Sequence, residues 1–261
     1  DDDVTLKIRL DADSLVAEGG SANYFVSLDG VVLRAGENVR FRLDSASGAN
    51  PATRATEVAD FTALFAANLQ AVDGVILSAI STAADGAVTL TATNTNQYDL
   101  PDDTLLLRFK INTSDDVLVE GTEDFTVALS STSAAVTPGT GSRTTSISDN
   151  DTVAIRLTGA TTVAEGGSAS YAVSLDGVGL GSGRSLTISL DSSGISATES
   201  ADFAALVAAS LLPATGISAS AITTAANGAV TLTLTNTGGS DLPAGNLPVS
   251  YTHLTLPTIL L

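Results

Sequence analysis

The chain has 261 residues, with 29 acids against 11 bases and a formal net charge of −18, a balance that opposes association with nucleic acid or an anionic membrane surface and favours cations. Hydrophobic residues make up 44% and aromatics only 4%, so any core is built from Val, Leu, Ile and Ala with a few Phe and Tyr, at a length that suits one or two domains. Cysteine is absent, which excludes disulfides and thiolate metal sites, and no apolar run approaches the ~18 residues of a membrane-spanning helix.

From Val4 onward most segments alternate with period two. Tyr24, Val26 and Leu28 share one face, as do Val39, Phe41 and Leu43, with Arg40 and Arg42 pointing the other way. Val88 and Leu90, then Leu107, Phe109 and Ile111, then Phe125, Val127 and Leu129 continue the pattern of half-buried strands. Short strands separated by Gly, Asp and Asn turns predict an all-β, antiparallel β-sandwich of immunoglobulin-like type. One stretch departs from the pattern: DFTALFAANL spaces Phe61, Leu64, Phe65 and Leu69 as a helix would, and DFAALVAASL repeats it with Phe203, Leu206, Val207 and Leu211. With Asp60 as N-cap, this predicts a short helix laid against the sandwich in each repeat.

The chain repeats itself. VAEGGSANYFVSLDG, Val16 to Gly30, returns as VAEGGSASYAVSLDG, Val163 to Gly177, displaced by 147 positions. GAVTLTATNT from Gly86 returns as GAVTLTLTNT from Gly228, displaced by 142, so a shortened loop separates the two matches. Residues 4–151 read as one complete unit. Residues 152–247 read as a second, truncated one that lacks the counterpart of Leu106 to Asp151. Beyond it, PVSYTHLTLPT from Pro248 to Thr258 resembles the translation of a transposase-type sequencing adapter, which sets residues 248–261 apart from the functional reading. His253, the sole histidine, falls within that stretch; without it there is no Ser/His/Asp triad and no imidazole ligand, and no enzyme is expected. Val249, Tyr251 and His253 nevertheless alternate as a strand does.

The acids of the first repeat fall in separate places: Glu18 in VAEGG, Asp60 in ADF, Asp115 and Asp116, Glu120 and Glu123, then Asp149 and Asp151 in ISDND. In a two-sheet sandwich, loops at one end are neighbours in space however distant in sequence. Two unit charges ~4 Å apart at an effective dielectric near 20 repel by roughly 4 kcal/mol, so acids that converge there need a cation. Calcium suits them, because it takes about 6 to 8 oxygen ligands in flexible geometry. Other motifs are weak: DADSLVAEGG lacks the sixth-position Gly of an EF-hand loop, and NTS at Asn112 fits a glycosylation acceptor.

DDxxxEGxEDFxVxLS, ISDND about twenty residues later, and VAEGG and ADF upstream together resemble the Calx-beta domain. That family implies a seven-stranded sandwich, known from exchanger regulatory loops, integrin subunits and tandem arrays in large bacterial adhesins, with calcium at one end. Carried over by motif position, the implied ligands are Glu18, Asp60, Asp115, Asp116, Glu120, Glu123, Asp149 and Asp151, with Asn150 standing where the family's closing triplet has an acid. The second repeat keeps only Glu165 and Asp202, and Asp1 to Asp3 resemble the close of a preceding repeat. The expectation is a calcium-binding spacer of a long bacterial surface or secreted protein, partnered by calcium and by neighbouring repeats, without nucleic acid and without direct membrane insertion. The alternative is a calcium-sensing regulatory domain attached to a membrane transporter.

Overall fold

The computed structural model describes residues 6–48, 59–131, 136–138, 141–164, 166–191, 211–226, 229–245 and 249–254. The chain divides into two compact units, one holding residues up to Asp116 together with Gly121–Asn150, the other holding Val117–Glu120 and the chain from Asp151.

In chain order the first strands are β1 (Leu6–Ala12), β2 (Leu15–Ala17), β3 (Ser21–Leu28), β4 (Asn38–Ser47), β5 (Gln70–Ala71), β6 (Val75–Thr82), β7 (Val88–Asn94), β8 (Leu105–Asn112), β9 (Leu118–Val119), β10 (Glu123–Ser131), β11 (Val136–Pro138) and β12 (Ser142–Ser148). All but β9 belong to the first unit, where they form a five-stranded sheet, β11-β1-β3-β8-β5, and a six-stranded one, β2-β12-β10-β4-β7-β6. Alternation decides the faces: Tyr24, Val26 and Leu28 of one sheet and Val39, Phe41, Leu43, Phe125 and Val127 of the other are fully buried in a shared core. Burying each large apolar side chain contributes about 1.5–3 kcal/mol. Phe61 stacks on Phe125 at 4.4 Å and Tyr24 on Phe109 at 5.0 Å. The Tyr24 hydroxyl shares a 2.6 Å hydrogen bond with Thr145 Oγ1 across the sandwich.

Most pairings are antiparallel, as the short-strand pattern predicts, but β1 with β11 and β2 with β12 are parallel. Both go with a change of sheets, from β1 to β2 at Asp13 and Ser14 and again from β11 to β12. The crossover is fixed by Asp13, whose backbone N–H donates to Asn23 O at 3.0 Å, and by Ser146, whose N–H donates to Ser14 O at 3.0 Å.

The predicted helix over Asp60–Leu69 does not form. Only a 3₁₀ turn, Ala66–Asn68, is present, and its N-cap position is Phe65 rather than Asp60. The apolar spacing is real, since Phe61 and Leu64 are buried, but Phe65 is 56% exposed. The backbone bonds go elsewhere than to a helical ladder: Thr62 N–H donates to Asn112 O at 2.8 Å, and Leu64 N–H to Ser45 Oγ at 3.1 Å. Distant strands thus satisfy groups that a helix would have satisfied locally. In the second repeat Phe203, Leu206 and Val207 lie outside the described residues, and Leu211, the last residue of the predicted helix, begins a strand instead.

The second unit contains β9, then β13 (Ile155–Gly159), β14 (Ser168–Leu175), β15 (Gly179–Leu180), β16 (Ser185–Leu190), β17 (Leu211–Pro213), β18 (Ile217–Thr224), β19 (Val230–Asn236) and β20 (Val249–Leu254). Its sheets are β13-β14-β20-β17, β16-β19-β18 and the pair β15-β9. Val173, Leu186, Ile188, Leu232, Leu234 and Val249 are among its core residues. Val249–Leu254, part of the stretch with adapter-like sequence, is the strand its alternation predicts.

Candidate metal centre

The acids of the first unit reach one pole because backbone bonds lace four chain segments together. Register places Ala17 of β2 beside Ser148 of β12, and Glu18 N–H donates to Ser148 O at 3.0 Å. Gly19 N–H donates to Ser114 O at 2.8 Å, Thr113 N–H to Gly20 O at 3.0 Å, and Ser114 N–H to Asp60 O at 2.9 Å. The loop after β2, the segment at Asp60, the loop after β8 and the end of β12 are therefore held at a single end of the sandwich.

Two residues that the sequence reading passed over make this packing possible. Gly19 has φ +70°, and a Cβ there would lie 3.0 Å from the Asp115 Cβ, so a side chain would collide with the acid beside it. Its signal was available in the AEGG shared by both repeats. Thr113, buried at 6% exposure, accepts from Gly20 N–H and donates to Ala17 O, both at 2.9 Å.

Within this frame the Glu18 carboxylate lies within 4.8 Å of a carboxylate oxygen of Asp149 and of one from Asp116, and Asp60 is within the same distance of Glu123. Asn150 Nδ2 donates to Asp115 Oδ1 at 2.9 Å, which ties the amide of the ISDND motif to the acid pair. Gly121 N–H donates to Asp149 Oδ2 at 2.8 Å. Glu18, Asp60, Glu123 and Asp149 are half-buried, while Asp115 and Asp116 are exposed. Six of the eight acids picked out by sequence thus belong to one pole of the first unit. Glu120 and Asp151, both half-buried, are counted with the second unit, and Glu165 and Asp202 lie outside the described residues.

This donor set is chemically selective. It consists of hard oxygen atoms, with no thiolate anywhere in the chain, which suits calcium and disfavours zinc. Partial burial strengthens the repulsion between neighbouring carboxylates, and a divalent cation relieves it.

No protein-family model matches the sequence, and no curated protein is matched by it. Among solved structures, the apo form of the Calx CBD1 domain aligns at 17% identity over 55% of this chain and 98% of its own, with a TM-score of 0.33. CBD12 from CALX1.2 aligns at 16% identity over 94% of this chain and 79% of its own, with a TM-score of 0.35. A type II cohesin domain from the cellulosome of Acetivibrio cellulolyticus aligns at 9% identity over 50% of this chain and 77% of its own, with a TM-score of 0.27. Scores this low establish neither fold nor function. The class is defined by the chain's own sheets and side chains: an all-β protein whose first unit is a two-sheet sandwich with an acid-lined pole.

Proposed function

We propose that the first unit is a calcium-binding module and that the chain is a segment of a long extracellular or cell-surface protein in which such modules serve as spacers. The observation that carries this reading is the Glu18 carboxylate, within 4.8 Å of acids from two other loops, Asp116 and Asp149. Glu18 would serve two ion positions, one shared with Asp149 and the other with Asp116, Asp60 and Glu123 would contribute to a further one, and Asp115 lies beside Gly19, next to Glu18. Glu120 and Asp151 complete the set by motif position. Bound ions would supply charge neutralisation and tie these loops to one another, which stiffens the end of the module. The near-duplicate second repeat supports a tandem array with neighbouring repeats as partners. The resemblance to arrays in bacterial adhesins supports the surface location. Residues 4–151 are read as the complete module, 152–247 as a truncated one, and 248–261 as adapter-derived.

Calorimetric titration with calcium tests the reading. The intact chain should give saturable heat, much reduced with magnesium, and the D116N/D149N variant should bind at least about tenfold more weakly, through loss of charged ligands. Without calcium the variant should melt no lower than the parent, because like-charge repulsion has been removed. With calcium the order should reverse: at a Kd of ~1 mM, a hundredfold excess adds about 2.7 kcal/mol to the parent. Equal heats from parent and variant would refute the assignment.

A further inference from the structure

The outer face of the five-stranded sheet differs in charge from the rest of the molecule. Four of the chain's 11 basic residues, Lys7, Arg9, Arg108 and Lys110, alternate with the buried positions of β1 and β8 and so face outward from this one sheet. Beside them lies a groove of about 690 Å³ whose lining includes Asn23, Phe25, Asn68, Gln70, Arg108 and Lys110. Its wall is the segment predicted to be helical: the 3₁₀ turn supplies Asn68, and β5 sets Gln70 opposite Arg108. On the other side, β3 sets Phe25 opposite Arg108 and Asn23 opposite Lys110.

The guanidinium is positioned, since Arg108 Nε donates to Gln70 Oε1 at 3.2 Å, and its remaining N–H groups make no ion pair with a described acid. Lys110 makes none either. Acids on the far side of β3 are engaged elsewhere: Asp11, opposite Phe25 on β1, is bound by Arg9 and Arg143, and Asp13, just beyond β1, accepts from the Asn23 side chain at 2.6 Å. The groove thus combines two cationic groups, the side-chain amides of Asn23, Asn68, Gln70 and Asn112, and the half-buried ring of Phe25.

We infer that this groove binds a short saccharide carrying a carboxylate. Arg108 and Lys110 meet the carboxylate, the amides of Asn23, Asn68 and Gln70 match ring hydroxyls, and Phe25 packs against a C–H face. A peptide fits less well, because the groove lies on a sheet face and the backbone groups of β3 and β8 are taken up in their ladder. A long polyanion is opposed by the net charge of −18.

The test uses the full chain with EDTA present, so that calcium cannot bridge the ligand to the acidic pole. Calorimetry or ligand-observed NMR compares tri-galacturonic acid with galactotriose and with a triglutamate peptide. Saturable binding of the acidic sugar is expected, weakened about tenfold or more by R108A/K110A. The two substituted side chains are exposed, so the variant's circular dichroism and melting temperature should match the parent's. Equal binding of galactotriose, equal or tighter binding of triglutamate, undiminished binding by the folded variant, or no saturable binding of the acidic sugar would each overturn the proposal.

Discussion

The two units show which features travel with repeated sequence and which do not. The β6–β7 pairing skips register between Ser78 and Ser81, and the β18–β19 pairing skips between Ser220 and Thr223, the same positions 142 residues on. Ala79 and Ala221 both have φ 48°. Asn94, fully buried, donates through Nδ2 to Leu33 O and Tyr98 O, and Asn236, 2% exposed, donates to Leu180 O and Ser240 O. β20 pairs with β14 and β17 as β8 pairs with β3 and β5. The units part company at the second sheet, six strands in the first and three described strands in the second. Of the three strands that make the difference, β10 and β12 lie within the sequence that is not repeated, as do Asp115, Asp116, Glu123 and Asp149, while β2, whose sequence is repeated, is a strand by pairing with β12. Local devices are copied with their segments, whereas the acidic pole needs all of its loops at once.

Substitutions probe that contrast in decreasing order of effect. Phe125, on β10, has no counterpart in the second unit and is buried against Phe61 and Tyr24. Phe125→Ala should destabilise the first unit by about 3–5 kcal/mol in urea unfolding; a loss below about 1 kcal/mol would mean that the additional strands contribute little. Tyr24 depends on the same strands through Thr145, and burial pushes its phenol up to about 12 from the ordinary value of 10.0. Because the folded-state value is raised, the folded protein holds this proton while the unfolded chain releases it. Stability is therefore intact below about pH 10 and falls as pH rises toward 12, by about 2–3 kcal/mol in all. Tyr24→Phe should remove that alkaline decline, and an unchanged pH profile would count against it. The smallest effect compares the units directly. Asn94→Ala and Asn236→Ala each strand buried carbonyls and should cost about 1–3 kcal/mol, and clearly unequal costs would break the equivalence of the two sites.

Alternation made the strand faces legible, and Tyr24, Val39, Phe41, Leu107 and Phe125 point inward as it predicts. It says nothing about partners, which is why the parallel pairings of β1 with β11 and of β2 with β12 were not foreseen. The missed helix has a related cause: Phe61 and Leu64 at helical spacing are equally compatible with an irregular segment pinned into a core, and what decided was hydrogen bonding to Asn112 and Ser45, far along the chain. At the candidate site, sequence showed which loops carry acids. Which acids meet is set by the β2–β12 register, which no motif shows, and by the space that Gly19 leaves beside Asp115, a contact that the shared AEGG does not name. The division that assigns Glu120 and Asp151 to the second unit was likewise invisible.

The paired register skips carry a consequence for chains built from copies. β6 and β18 are the outermost strands of their sheets and expose Ile76, Ile80 and Ile222. Related strands tethered on one polypeptide meet at a high effective concentration, commonly millimolar for short flexible tethers, where flat apolar borders would zip together into mispaired ribbons. A kink at Ala79 and again at Ala221 bends each border out of plane and spoils the template. The irregularity thus acts as a guard against self-association between copies, and straightening it should show first as aggregation rather than as lost stability.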